Sequence, residues 1–137
     1  MRPQRRRRSE RGSIVVLFIG VLAGLVVVIT AETVAGTIIR GHGRAHWDAE
    51  NVARVAAQQI DERLYHQTGA LAIDPSAATT AARQYVAHLT DPVQLGGIAA
   101  RANAVTVTVV LQQQIDAGPA SFTLPIVETA WAQLERP

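Results

Sequence analysis

Cysteine is absent from all 137 residues, which removes disulfides, thiolate metal sites and thiol nucleophiles together. Charge is missing from one stretch altogether: from Ile14 to Ala31 no side chain is ionisable. Positive charge is scarce outside the amino-terminal end. Six arginines (Arg2, Arg5, Arg6, Arg7, Arg8 and Arg11) crowd the first eleven residues, whereas beyond them seven arginines face ten carboxylates. A nucleic-acid surface spread over the folded part would need a basic excess there, so nucleic acid is not an expected partner. The chain has room for one small domain. Lacking disulfides, that domain must draw stability from a docked helix or a partner.

Catalytic groupings are lacking too. Ser13, Ser76 and Ser121 have no evident base or glycine elbow. Asp61 and Glu62 are adjacent, so on a helix they diverge and do not form a general acid/base couple. Gly96-Gly97 does not extend into a phosphate loop. His42 and His46 are four apart, a spacing that on a regular helix could turn both imidazoles toward one metal. Gly43 between them argues against such a helix, and no third ligand stands at matching spacing. His66 and His88 fall near expected helix ends, where an imidazole commonly meets free carbonyls. No active site, cofactor or metal is expected.

What is present begins with the charge-free run IVVLFIGVLAGLVVVITA, Ile14 to Ala31. As a helix it would cover roughly 27 Å, close to the hydrocarbon thickness of a bilayer. Val34, Ile38 and Ile39 can extend it, so a spanning helix over 14–39 is expected after a basic tail of 1–13. Gly20 and Gly24 form a G-x-x-x-G pair that would permit close helix packing and self-association. The arginine cluster precedes the run while only Arg40 and Arg44 follow closely, which favours an amino terminus in the cytoplasm and a carboxyl terminus outside. Glu32 and Trp47 are candidate markers of the outer boundary, although Trp47 would equally suit a core or an interface. Thr33-Val34-Ala35 resembles a signal-cleavage site, but the apolar run exceeds the usual core of about 7–15 residues, which favours an anchor.

An extracytoplasmic α+β domain is expected over 45–137. After a flexible Gly41-His42-Gly43, the four-residue spacing of Val52, Ala56, Ile60 and Leu64 predicts a helix from Ala45 to about His66, with Gly69 as its stop. It would continue the spanning helix, bent at the glycines. Asp74-Pro75 is a helix start, and that helix ends before Asp91-Pro92. The period then changes to two: Val105, Val107, Val109 and Leu111 alternate with Thr106 and Thr108, a strand. Gln94 to Arg101 would be its hairpin partner. Asp116-Ala117-Gly118-Pro119 is a turn, and Ser121 to Leu134 a further strand that Pro125 confines to an edge or bulge. Trp131 is expected in the core. Helices layered on one small antiparallel sheet is the economical architecture.

The order of these features resembles the TadE/TadG-like proteins of the Flp (tight adherence) pilus system, in the short form found in high-GC Gram-positive bacteria. The carriers are Arg11-Gly12-Ser13 before the span; Ala49-Glu50-Asn51-Val52-Ala53 with Ala56-Ala57 after it; Asp74-Pro75 followed by Ala81-Ala82-Arg83-Gln84-Tyr85; and the Val-Thr-Val-Thr-Val strand. The resemblance implies a pseudopilin-like or accessory component of the cytoplasmic membrane, whose partners are the lipid bilayer and other pilus-assembly or envelope proteins. It also implies a prepilin-peptidase bond, which here would be Gly12–Ser13. The family's pilin-like members carry glutamate at the fifth position after that cut, where this chain has Leu17. That departure favours an anchored accessory protein over a filament subunit. The alternative class is an anchored extracytoplasmic module that binds or senses a ligand, which requires an apolar pocket with a few convergent polar groups.

Overall fold

Between Pro3 and Pro75 the chain has no proline, and nothing in that interval forces a helix to stop early. The computed structural model, which describes residues 7–118 and 120–134, accordingly opens with one unbroken helix, α1 (Arg7–Ala57), of 51 residues. At 1.5 Å per residue it is about 76 Å long. Two short helices follow, α2 (Glu62–Thr68) and α3 (Pro75–Ala87), then three strands, β1 (Val93–Ala100), β2 (Ala104–Ala117) and β3 (Ala120–Gln133). The strands form an antiparallel meander in the order β1-β2-β3. The α+β architecture is therefore as the sequence predicts, a long amino-terminal helix with two further helices and a small sheet.

The core lies between the second half of α1 and the sheet. Ala45, Ala49, Val52, Ala53 and Ala56 of α1 are buried against Val105, Val107, Val109 and Leu111 of β2 and Ile126 and Ala130 of β3, with Ala78 and Ala82 of α3 closing one side. Four alanines on the inner face of α1 let the helix lie close to a sheet whose own inner face is mostly valine. The opposite face of the sheet is uncovered. Thr106 and Thr108 project there opposite Trp131 and Thr129, and the two threonine hydroxyls of Thr108 and Thr129 hydrogen-bond at 3.0 Å.

Gly41 and Gly43 do not interrupt α1, contrary to the expected flexible joint. Gly41 is buried because the sheet approaches so closely that a Cβ there would stand 2.5 Å from Ile126 Cδ1 and 3.2 Å from Gln113 Oε1. The glycine makes room for packing. The predicted helix from Ala45 to His66 is also revised: α1 ends at Ala57, and α2 starts afresh at Glu62. Tertiary pairing wins over the helical stripe here, because Ile60 forms an antiparallel bridge with Ile73, flanked by Asp61 N–H to Ala72 O (2.8 Å) and Asp74 N–H to Gln59 O (2.8 Å). Asp61 then caps α2 by accepting from Leu64 N–H at 2.9 Å, and Gly69 ends it at φ 69°.

Asp74 caps α3 as expected, accepting from Ser76 N–H (2.8 Å) and Ala77 N–H (3.1 Å) with Pro75 in the first turn. The Ser76 hydroxyl also donates to it, and that bond, with those from the Ala77 and Ser76 N–H groups, holds its carboxyl below the usual range. The β1–β2 hairpin is also as predicted, with a register shift between Leu95 and Gly97. β2 runs on past Leu111 to Ala117. Pro125 sits in β3, an edge strand, opposite Gln112. Trp131 is not core but 67% exposed, since the alternation that turns Ile126 and Ala130 inward turns position 131 outward.

β3 runs in the same direction along the molecule as α1. Ile126 meets Gly41, Glu128 meets His42, and Trp131 to Leu134 stand beside Glu50, Arg54 and Ala57. The β2–β3 turn, with Gly118 at φ 68°, therefore points back toward the first half of α1.

Candidate functional site

Two features of α1 stand out: an uncovered apolar half and a polar cluster where the covered half begins. From Ile14 to Ile29 every large apolar side chain is exposed, between 46% at Leu22 and 71% at Val16. A helix long and apolar enough to cross a membrane is thus present near the amino terminus. The hydroxyls at its outer end are satisfied within the helix: Thr30 Oγ1 donates to Val26 O (2.8 Å), Thr33 to Ile29 O and Thr37 to Thr33 O (both 2.9 Å). None of the three requires water. Gly20 and Gly24 have open space beside them, with nothing within 4 Å of a built Cβ. The Gly12–Ser13 bond lies in the first turns of α1, and the side-chain surroundings of both, like Arg2, Arg5 and Arg6, lie outside the described residues.

The polar cluster spans α1 and β3. Because α1 is regular through Gly43, His42 and His46 do share a face, and both turn toward Glu128 of β3. His42 Nδ1 is 2.6 Å from Glu128 Oε1, and His46 Nδ1 is 3.8 Å from Oε2. His46 Nε2 also approaches Glu50 Oε1 at 3.6 Å, and Glu50 Oε2 meets Arg54 Nη2 at 3.8 Å. The expectation that no third ligand stands at matching spacing is thereby corrected: Glu50 follows His46 by four residues and meets it on the same helix. Glu128 had a sequence signal: it falls in phase with the inward residues Ile126 and Ala130. Among the described residues no three His, Cys, Asp or Glu side chains are arranged to hold a metal ion. The geometry is that of a clasp fastening the edge strand to the helix.

No family model, curated protein or solved structure matches the chain.

Trp47 is 61% exposed and so is not a core residue. It stands about 24 Å along the helix beyond Ala31. His88 places Nδ1 2.6 Å from Gln84 O at the end of α3, as expected of an imidazole there. An open groove of about 670 Å³ runs between the end of α1 and β3, lined by Glu50, Arg54, Ala57, Ile60, Trp131 and Leu134. Its two charged groups are already paired with each other.

Partial burial pushes the Asp48 carboxyl up, reinforced by Asp91 and opposed by Arg44. A carboxyl raised in the folded state stabilises below its unfolded value, and that contribution is lost as pH rises through the folded value. Asp48→Asn is accordingly expected to raise the melting temperature slightly at pH 7. The gap between variant and wild type should close as pH is lowered toward the ordinary carboxylate range, a comparison that thermal melts at several pH values make directly.

Proposed function

We propose that this chain is a single-pass protein of the cytoplasmic membrane, with its amino terminus inside and its α+β domain outside. In this reading it serves as a TadE/TadG-like accessory or pseudopilin-like component of a pilus-assembly or secretion system. It acts through protein–protein contacts. The observation that carries the membrane part is the division of α1: sixteen residues of bare apolar helix continue without a joint into a half that is clasped by a sheet. In water, that bare face would be an aggregation hazard. In a bilayer a helix is the economical spanning element, because every backbone group is satisfied internally. The back-bonded Thr30 suits the same surroundings.

With Ile14 to Ala31 in hydrocarbon, the outer boundary falls at Glu32 and Thr33. Trp47 then stands well above a headgroup layer of roughly 5–8 Å, as a solvent-facing or partner-facing ring. Leu17 at the position of the pilin glutamate favours an anchored accessory protein over a polymerising subunit. Gly20 and Gly24 offer a face for another helix.

The test is crosslinking of the full-length protein in its native membrane, with intact-mass measurement of the recovered chain. Polytopic pilus-assembly proteins among the crosslinked partners are expected. Recovery of the intact chain from the aqueous fraction without detergent would sink the membrane reading, and unrelated partners would sink the pilus reading alone. The alternative, a ligand-sensing module, has the groove beside Trp131 as its place. Stabilisation of the detergent-solubilised protein by a small molecule in a thermal-shift screen would favour it.

A further inference from the structure

We propose that the β2–β3 hairpin is a second membrane contact, with Ala117, Ala120 and Phe122 resting in the outer headgroup layer beside the emerging α1. This rests on the reading of Ile14–Ala31 as the span. The level of the hairpin is set by Gly41, which faces Ile126 and Gln113. From Ile126 back to Ala120 the strand extends about 20 Å at 3.3–3.4 Å per residue. From Gly41 back to Ala31 the helix descends only about 15 Å. Even at an inclination of about 40°, of the order by which strands tilt in closed sheets, the tip would descend about 15 Å and reach the level of Ala31.

Burial along α1 points the same way. From Ile14 to Ile29 the helix is exposed throughout, whereas Thr30, Val34, Gly36, Thr37 and Ile38 are half-buried. Ile115, near the end of β2, is 1% exposed yet stands apart from the main core cluster. Thr30 and Thr37 are partly shielded by their own back-bonds and Gly36 by the Arg40 guanidinium, which leaves Val34, Ile38 and Ile115 as the apolar surface shielded toward the tip.

The chemistry of the tip suits the interface and limits its depth. Ala117, Gly118, Ala120 and Ser121 are small, and Phe122 leaves 49% of its surface outward. An exposed aromatic ring beside a membrane surface gains by burial among headgroups and upper acyl chains. Asp116 next to it is costly to carry into hydrocarbon, which holds the tip at the headgroups. Arg40 folds its guanidinium back over Gly36, at a height where lipid phosphates would lie. The domain would thus stand on two supports, the helix and the hairpin.

The absence of cysteine makes the test direct. Full-length Phe122→Cys, Gln133→Cys and Val21→Cys variants would each carry one environment-sensitive fluorophore in vesicles of mixed phosphatidylcholine and phosphatidylglycerol. Ala120→Cys serves as a second probe of the tip if Phe122→Cys folds poorly. Expected results are quenching of the 122 and 21 probes by spin-labelled lipid. Iodide should quench the 122 probe several-fold less than the 133 probe. A 122 probe that behaves like 133, while 21 is quenched by lipid, overturns the hairpin contact and spares the span. A 122 probe shielded from both quenchers also overturns it, since protein then covers the tip. If the 21 probe also escapes lipid, the membrane reading itself has failed.

Discussion

Replacing Gly41 by leucine is expected to prise the sheet from α1 and destabilise the domain by about 3 kcal/mol or more, at or beyond the upper end of ordinary overpacking. A first side-chain carbon at this position already overlaps Ile126 Cδ1, at 2.5 Å, and Ile126 is itself only 2% exposed. Leucine adds three more carbons where there is no space. Alanine is a finer probe. It gains up to about 1 kcal/mol of helix propensity over glycine and sets against it an overpacking cost of about 1–3 kcal/mol. Ile126→Val deletes the very atom in the way, at a cost of about 0.5–1.5 kcal/mol on its own. The double variant Gly41→Ala/Ile126→Val should therefore be more stable than the two single changes predict, by a coupling of about 0.5 kcal/mol or more. Denaturant melts of the four proteins in one detergent close the cycle. If alanine at 41 is tolerated with no coupling to position 126, the helix and sheet do not meet as described.

Two arginines in the middle of the apolar half, Leu22→Arg with Leu25→Arg, are expected to abolish membrane insertion. Thirteen large apolar side chains lie between Ile14 and Ile29, and at about −0.3 to −0.6 kcal/mol each they favour insertion by about 4–8 kcal/mol. Two central arginines cost about 5–7 kcal/mol and also remove two leucines, which cancels that preference. Leu22→Arg alone should only lower the inserted fraction. Carbonate extraction of membranes reads the outcome: the wild type stays in the pellet, the double variant is released or degraded. A double variant that still pellets after extraction, in a folded state, would mean that another part of the chain holds the membrane.

Much of this fold could be read from the chain because local signals agreed with tertiary needs. Val105 to Leu111 alternate, and the inner set is buried. Asp74-Pro75 starts a helix, Gly69 ends one, and Pro125 occurs where only an edge strand tolerates it. The misreadings share a cause, which is that contacts distant in sequence decided the matter. Gly41 and Gly43 look like a joint to any local rule, and only the approach of Ile126 shows that position 41 needs a residue without a side chain. Ile60 continues a helical stripe, but pairing with Ile73 draws it out of the helix. Trp131 is expected in the core, whereas the phase set by Ile126 and Ala130 turns it outward. Gln112 to Gln114 hide the length of β2, since they carry no hydrophobic alternation where the hairpin outruns the main core. Of the candidate site, the apolar run was plain and Glu128 was in phase, but its meeting with His42 depends on a helix that the glycines do not break.

The jointless α1 also ties together two azimuths that chemistry alone would leave independent. Gly20 and Ala45 are twenty-five residues apart, close to seven whole turns at 3.6 residues per turn, so both look out from the same side of the rod. Along the second half of α1 that side is already occupied by the chain's own strands. A second copy laid parallel along the glycines would meet those strands by Gly41, where Ile126 and Gln113 already press on the helix. In the proposed membrane setting, pairing of identical molecules through the glycines is expected only between helices that cross near Gly20 and diverge, and a parallel neighbour along this side is expected to be a helix without such a sheet.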